Sequence, residues 1–371
     1  MPFADELLGA SAVEGLTTCL MLAGYDTART SATVTEFDGM ALKNRSDLVR
    51  DALIHDLPEP FTGFVSAVNK LIDQPGCTGW MVWPITEAVA LRATAQRTTG
   101  AFDIGLALLA ELTPRLTSEF ALRTMLLADL DRTLAAARAW AESPDHHVRR
   151  LASEGTRHYL PWARRIPELL RRPEATLPIV DALYRDPSEY VRRSVANHVN
   201  DLSRHHPDLV VSTAARWQSA PDANTDKLVR HALRTLVKKG DPDALALLGF
   251  DAPTGLDLSE LNVDPTVDTG DKLAFAVTLT HSGESPVNVV VDYSIGFRKA
   301  NGAIAHKVFK LATKTLRPGE HLRLSKSHSF ALITTRRYHP GRHELAVQVN
   351  GRRMGVAEFD LLAAVGPTVL R

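Results

Sequence analysis

The feature that most narrows the fold of this chain is a change of hydrophobic period near residue 253. Upstream, apolar residues recur at helical spacing between turn signals. Leu106, Leu108, Leu109 and Leu112 form one such stripe, and Pro114 stops it. Pro161, Pro178 and Pro187 each stand where a helix could begin, since proline suits a first helical turn. Downstream the pattern is alternation, first at Leu273, Phe275, Val277 and Leu279, then at Val289, Val291, Tyr293 and Ile295. Asn301-Gly302 and Asn350-Gly351 are two-residue hairpin signals. Short strands with no helical stretch between them point to a β-sandwich. The Cys–Trp–Cys signature of antibody domains is absent, so "immunoglobulin-like" describes architecture only.

The helical part contains a repeat. Val148-Arg-Arg, Val191-Arg-Arg and Val229-Arg-His recur about 40 residues apart, the period of two-helix HEAT-like repeats. The fold expected is therefore multidomain: an all-α HEAT-like superhelical solenoid over 1–253, then an all-β immunoglobulin-like sandwich over 254–371. Stacked repeats place Arg149, Arg150, Arg192, Arg193 and Arg230 at equivalent positions of successive layers, an arrangement suited to DNA phosphates. Arg150 and Glu154 equally fit a local i,i+4 ion pair. Arg193, Asn197 and Asp201 fall on one stripe, and Arg150, Glu154 and His158 on the matching stripe one layer earlier. Trp162, after Pro161, is expected at the start of the next helix. Carboxylates and an indole are an odd lining for a pure adaptor, although a structural ion-pair network has the same spacing.

Charge and composition bound the partners. At 371 residues and 44% hydrophobic, the chain is long enough for two folded cores and too apolar for disorder. Its 43 basic and 43 acidic residues cancel overall, but 298–353 holds thirteen Lys/Arg against Glu320 and Glu344. That local field suits a polyanion, and it suits a soluble basic surface as well. No run of 18 apolar residues occurs and the N-terminus lacks a basic n-region, so neither a membrane span nor a signal peptide is expected and the cytoplasm is the default. Cys19 and Cys77 alone cannot build a disulfide framework or a cysteine-rich zinc site. Dinucleotide, P-loop, hydrolase-elbow and zincin motifs are missing, so no cofactor is expected. His198, Asp201, His205 and His206 can be drawn as a metal site. A histidine pair closing a helix before Pro207 explains them better, and no metal is expected.

Several stretches resemble a known family. Gly79-Trp-Met-Val-Trp-Pro-Ile-Thr-Glu-Ala-Val89, Glu111-Leu-Thr-Pro-Arg-Leu-Thr-Ser-Glu-Phe-Ala121, His147-Val-Arg-Arg-Leu-Ala-Ser-Glu-Gly-Thr-Arg157 and Leu160-Pro-Trp-Ala163 are similar to the AlkC branch of the AlkC/AlkD DNA glycosylases. So are Ser188-Glu-Tyr-Val-Arg-Arg-Ser-Val-Ala-Asn197 and Val229-Arg-His-Ala-Leu-Arg-Thr-Leu-Val-Lys-Lys-Gly240. The resemblance spans about 40–250, and the chain looks like the subtype with an appended immunoglobulin-like domain. It implies a monofunctional DNA glycosylase releasing cationic alkylated bases from duplex DNA, chiefly 3-methyladenine and in some members methylated cytosine. It also implies Glu119 as the catalytic carboxylate, with Glu154 and Asp201 as companion acids. Trp162 falls on the aromatic contact to the lesion, Arg150 on a groove-lining basic position, and Arg157 joins the DNA- or lesion-binding set. Trp80 and Trp83 match family positions too, with buried packing as their expected role. A monomer on double-stranded DNA is expected, with the basic β segment gripping phosphates from a second side. A non-catalytic HEAT adaptor and a protein that binds distorted DNA without cutting are the competing readings.

Overall fold

The computed structural model describes residues 4–252, 254–333 and 336–363. It divides into two compact units, Met1–Ala232 and Leu233–Arg371.

In the first unit the 40-residue repeat becomes three helix pairs. Leu130–Trp140, Leu177–Leu183 and Pro207–Ser219 lead through connections at 141–145, 184–188 and 220–224 into His146–Glu154, Glu189–Leu202 and Thr225–Ala232. Each connection holds one proline and one aspartate that turns the chain. Asp145, Asp186 and Asp222 each accept a hydrogen bond from the backbone N–H two residues on, at 2.7, 2.8 and 2.9 Å. The second helices pack side by side in one row. Val148, Leu151, Val191, Val195, Val199 and Val229 are buried between them, each worth about 1.5–3 kcal/mol relative to exposure. The stripe at Leu106, Leu108, Leu109 and Leu112 is buried in the helix Thr99–Leu112, which ends before Pro114 as expected.

Two of the three prolines behave as first-turn or pre-helix residues. Pro178 opens Leu177–Leu183, and Pro187 precedes Ser188, which caps Glu189–Leu202. Pro161 does not. It begins a turn, and the next helix is Pro167–Arg171. Trp162 therefore sits in a loop, with φ +61°, rather than at a helix start.

The second unit contains strands β1 (Leu256–Val263), β2 (Thr266–Asp268), β3 (Lys272–His281), β4 (Val287–Arg298), β5 (Ile304–Leu316), β6 (His321–Ser329), β7 (Gly341–Val349) and β8 (Arg352–Leu362). They form two sheets, ordered β1-β3-β6 and β2-β8-β7-β4-β5. The described pairings are antiparallel apart from β2 with β8. Leu273, Phe275 and Leu279 of one sheet pack with Val291, Tyr293, Ile295, Leu345 and Val347 of the other, as the alternation foretells.

β4 is buried on both faces, because Val290 on its outer side packs with Leu245 and Phe250. The helices Arg234–Lys239 and Pro242–Leu247 thus belong with the sandwich unit, and the change of period near 253 falls inside it. Asn350-Gly351 is a two-residue turn with φ +45° and +78°, the left-handed pair a tight hairpin requires. Asn350 Oδ1 also accepts from Val290 N–H at 2.8 Å, and its Nδ2 donates to the carbonyl of Asp251 at 2.8 Å. Asn301-Gly302 instead lies in a longer loop, 299–303, where Lys299 N–H donates to the Ala303 carbonyl at 2.8 Å. Lys307, Lys310 and Lys314 stand exposed on β5, the end strand of its sheet. Among the described residues no helix is long and apolar enough to cross a membrane.

Candidate functional site

Three carboxylates come together in the first unit, and each arrives from a different layer. Glu119 lies in the turn between Thr99–Leu112 and Leu122–Ala128. That turn is pinned by Ser118, whose hydroxyl donates to the Leu109 carbonyl at 2.8 Å. Glu154 ends the helix His146–Glu154, and Asp201 stands near the end of Glu189–Leu202. All three are buried.

Two arginines join them into a single row. Arg150 Nη1 donates to Glu119 Oε2 at 2.8 Å, and its Nη2 lies 3.7 Å from Glu154 Oε1. Arg157 Nη1 donates to the same Glu154 oxygen at 2.6 Å. The rest of the Arg157 guanidinium grips Asp201 through two bonds of 2.9 and 3.0 Å. Thr117 Oγ1 donates to Glu119 Oε2 at 2.9 Å, and Tyr159 N–H donates to Asp201 Oδ2 at 3.2 Å. Burial opposes the charge of both arginines, but the neighbouring carboxylates more than offset it and hold both guanidinium pKa values above the ordinary range. The row runs acid, base, acid, base, acid. The three anions and two cations of the row are held in fixed geometry by charge-assisted hydrogen bonds, and the buried Arg123 guanidinium lies near enough to act on Asp201. Such a site suits a substrate that is, or becomes, positively charged.

The other arginines divide by duty. Arg149 grips Asp186 through bonds of 2.6 and 3.1 Å and donates to the carbonyls of Ser143 and Pro144, both at 2.9 Å. Arg192 repeats this one layer on, donating to the carbonyls of Asp186 and Pro187 at 2.5 and 2.9 Å. Both hold the inter-helix connections, which corrects their placement in a phosphate-binding set. Arg157 is likewise redirected, because its guanidinium is enclosed between Glu154 and Asp201 and has no face left for a phosphate. Arg193 and Arg230 are exposed, the former 3.6 Å from Glu189. They remain suited to phosphate.

The expected stripe of Arg150, Glu154 and His158 breaks at its third member. His158 lies beyond the helix end and is buried, with its imidazole pushed down to about 4 by burial, Arg123 and His206. The metal drawing fails at His198. Burial keeps that ring neutral, Nδ1–H donates to the Ser153 carbonyl at 2.9 Å, and Nε2 accepts from the Thr176 hydroxyl at 2.9 Å. Both ring nitrogens are committed, and Asp201 is held by Arg157.

Trp162 is 80% exposed in a left-handed backbone conformation that a bulky residue rarely adopts. Arg123 Nε donates to the Arg164 carbonyl at 3.2 Å and Arg165 Nη1 to the Leu160 carbonyl at 3.2 Å, bracing the loop that presents this indole. Trp83 is buried as expected, and Trp80 half-buried. Sequence reasoning missed Thr117 and Tyr190, whose ring lies 4.7 Å beneath the Arg150 guanidinium. Both sit inside stretches of recognisable pattern, but neither residue type by itself signals a carboxylate network.

Residues 117–236 match the family described as DNA alkylation repair enzyme. Residues 257–363 match the C-terminal Ig-like domain of the uncharacterised protein YhaZ. Uncharacterised protein YhaZ of Bacillus subtilis (strain 168) is 40% identical over 246 residues, which are 66% of this chain and 68% of that protein. A solved structure of Pseudomonas fluorescens alkylpurine DNA glycosylase AlkC, bound to DNA containing an abasic site analog, is 33% identical with a TM-score of 0.86. The match covers 98% of this chain and 100% of that one.

Proposed function

The chain belongs to the DNA alkylation repair enzymes of the AlkC type, with an appended Ig-like domain, and from that premise we propose that it is a monofunctional DNA glycosylase releasing cationic alkylated bases. The observation that carries the proposal is the row of three buried carboxylates bridged by two arginines. An N3-methylated adenine is already cationic and leaves readily, so no strong general acid is required at the base. The sugar becomes oxocarbenium-like as the glycosidic bond lengthens, and a fixed carboxylate stabilises that developing charge. A second carboxylate orients the attacking water or takes its proton. We assign Glu119, Glu154 and Asp201 to these two duties, with Arg150 and Arg157 as positioning residues that set their geometry.

Trp162 suits the cationic lesion or the sugar beside it, because an indole face attracts positive charge. Arg193 and Arg230 are the solenoid's candidates for phosphate contact. A structure of the Pseudomonas fluorescens relative with DNA containing an abasic site analog supports the same substrate class, since an abasic site is what base release leaves behind. The preferred substrate is 3-methyladenine, with methylated cytosine as a second cationic lesion, in duplex DNA and by a monomer.

The test is base release. Methylated duplex is incubated with the protein and the freed bases are separated by chromatography. Free 3-methyladenine with an intact phosphodiester backbone is expected. DNA binding without release of any base refutes the proposal and leaves a protein that binds distorted DNA.

A further inference from the structure

A second cluster of polar side chains stands at the start of the helix His146–Glu154, and the proposed bond cleavage makes no use of it. Asp145, His146 and His147 are consecutive, so they match no standard metal-ligand spacing. In the fold, one carboxylate oxygen and one ring nitrogen from each imidazole lie within 4.8 Å of one another. Three donors that close share a point no more than about 2.8 Å from each, and small side-chain rotations shorten this to the about 2.0–2.2 Å of zinc bonds to nitrogen and oxygen.

The backbone under the cluster is tied on both sides. Asp145 N–H donates to the Ser143 hydroxyl at 3.2 Å, and Arg149 fastens the carbonyls of Ser143 and Pro144. Asp145 Oδ1 accepts from His147 N–H at 2.7 Å, which holds the carboxylate beside the imidazoles. The two imidazole centroids are 4.1 Å apart, and Tyr190 meets both rings edge-on at 6.2 and 5.7 Å. Among the described residues, none of the three side chains forms an ion pair and neither imidazole hydrogen-bonds through a ring nitrogen. Burial, His146 and Arg150 hold the His147 imidazole below its ordinary value, so at neutral pH it has the uncharged form that a metal ligand needs.

This donor set selects among cations. Two imidazoles and one carboxylate suit a transition ion such as zinc, whereas magnesium and calcium demand oxygen ligands. Arg150 and the helix N-terminus both oppose positive charge here, so only an ion that bonds strongly to nitrogen offsets that repulsion. We propose that Asp145, His146 and His147 form a three-ligand site for a divalent transition-metal ion of the zinc class, with the remaining position open to water.

Calorimetric titration of the chelator-treated full-length protein with zinc chloride tests the site. One saturable equivalent is expected, and magnesium chloride is expected to give none. His146→Gln and His147→Gln are each expected to weaken zinc binding about 10-fold or more, since even an outer-shell partner is worth that much. Carbethoxylation of the wild-type histidines, mapped by peptide mass, gives a readout that needs no variant. Zinc is expected to slow modification of His146 and His147 and to leave that of the exposed His55 unchanged. No saturable zinc binding, equal binding of magnesium, full affinity in both variants, or modification of His146 and His147 unaltered by zinc overturns the proposal. None of these readouts depends on base release.

Discussion

Removing Arg157 probes the acid row at its most enclosed point. Arg157, Glu154 and Asp201 have side-chain exposures of 8, 8 and 11%, so Arg157→Met strands two buried carboxylates facing one another. Breaking a buried pair by deleting one partner costs about 3–5 kcal/mol. The lower end applies here, because Asp201 keeps its bond from Tyr159 N–H and Glu154 keeps Arg150 at 3.7 Å. A unit of this size loses about 2–4 °C of Tm per kcal/mol, so a drop of about 6–12 °C is expected at pH 7. Circular dichroism at 222 nm reads it, since the helices dominate that signal. Adding Asp201→Asn removes one stranded charge and is expected to recover about half of the loss. A drop below about 3 °C, or a double variant no better than the single one, would refute the reasoning that the carboxylates depend on Arg157 for their charge.

Two further outcomes follow from the buried histidine and the basic strand. Burial pushes the His158 imidazole down to about 4 in the fold, against about 6.5 when unfolded, so unfolding takes up a proton below the latter value. Its contribution is full above about pH 6.5 and is lost as pH falls toward 4, a change of about 3 kcal/mol. His158→Leu is expected to flatten the melting temperature's pH dependence across that window, and an unaltered slope would contradict the assignment. If Lys307, Lys310 and Lys314 on β5 each meet a phosphate, replacing all three by Glu lowers the slope of log affinity against log salt by about 2–3. An unchanged slope in a filter-binding series would leave these lysines only the task of blocking strand addition at a sheet edge.

The repeat was legible in the sequence because Val148-Arg-Arg, Val191-Arg-Arg and Val229-Arg-His each fall on the second helix of a pair, where the valine is buried against the next layer. The sandwich was legible because alternation needs one buried face, as β3 has. β4 is buried on both faces, so its pattern could not reveal that the two preceding helices pack on it. Glu154 and Asp201 showed themselves as stripes on helices, whereas Glu119 came only from family resemblance, its place in a loop having no period. Arginine proved the least readable residue. Arg149 and Arg150 are neighbours in sequence, yet one caps carbonyls of a connection and the other bridges carboxylates, since about 100° of helix separates them. Trp162 misled because a proline that could open a helix opens a left-handed turn instead, and one of the two arginines bracing that turn, Arg123, bonds a carbonyl 41 residues away in sequence.

The most direct measurement is the single-turnover rate of 3-methyladenine release by Glu119→Gln, taken beside its affinity for DNA containing an abasic-site analogue. The substitution keeps the shape of the side chain and removes the charge that Arg150 and Thr117 hold in place. If the carboxylate row stabilises the sugar cation, the rate falls about 100-fold or more while affinity stays within a few-fold. A rate within threefold of wild type would contradict the central claim and return the row to a structural role.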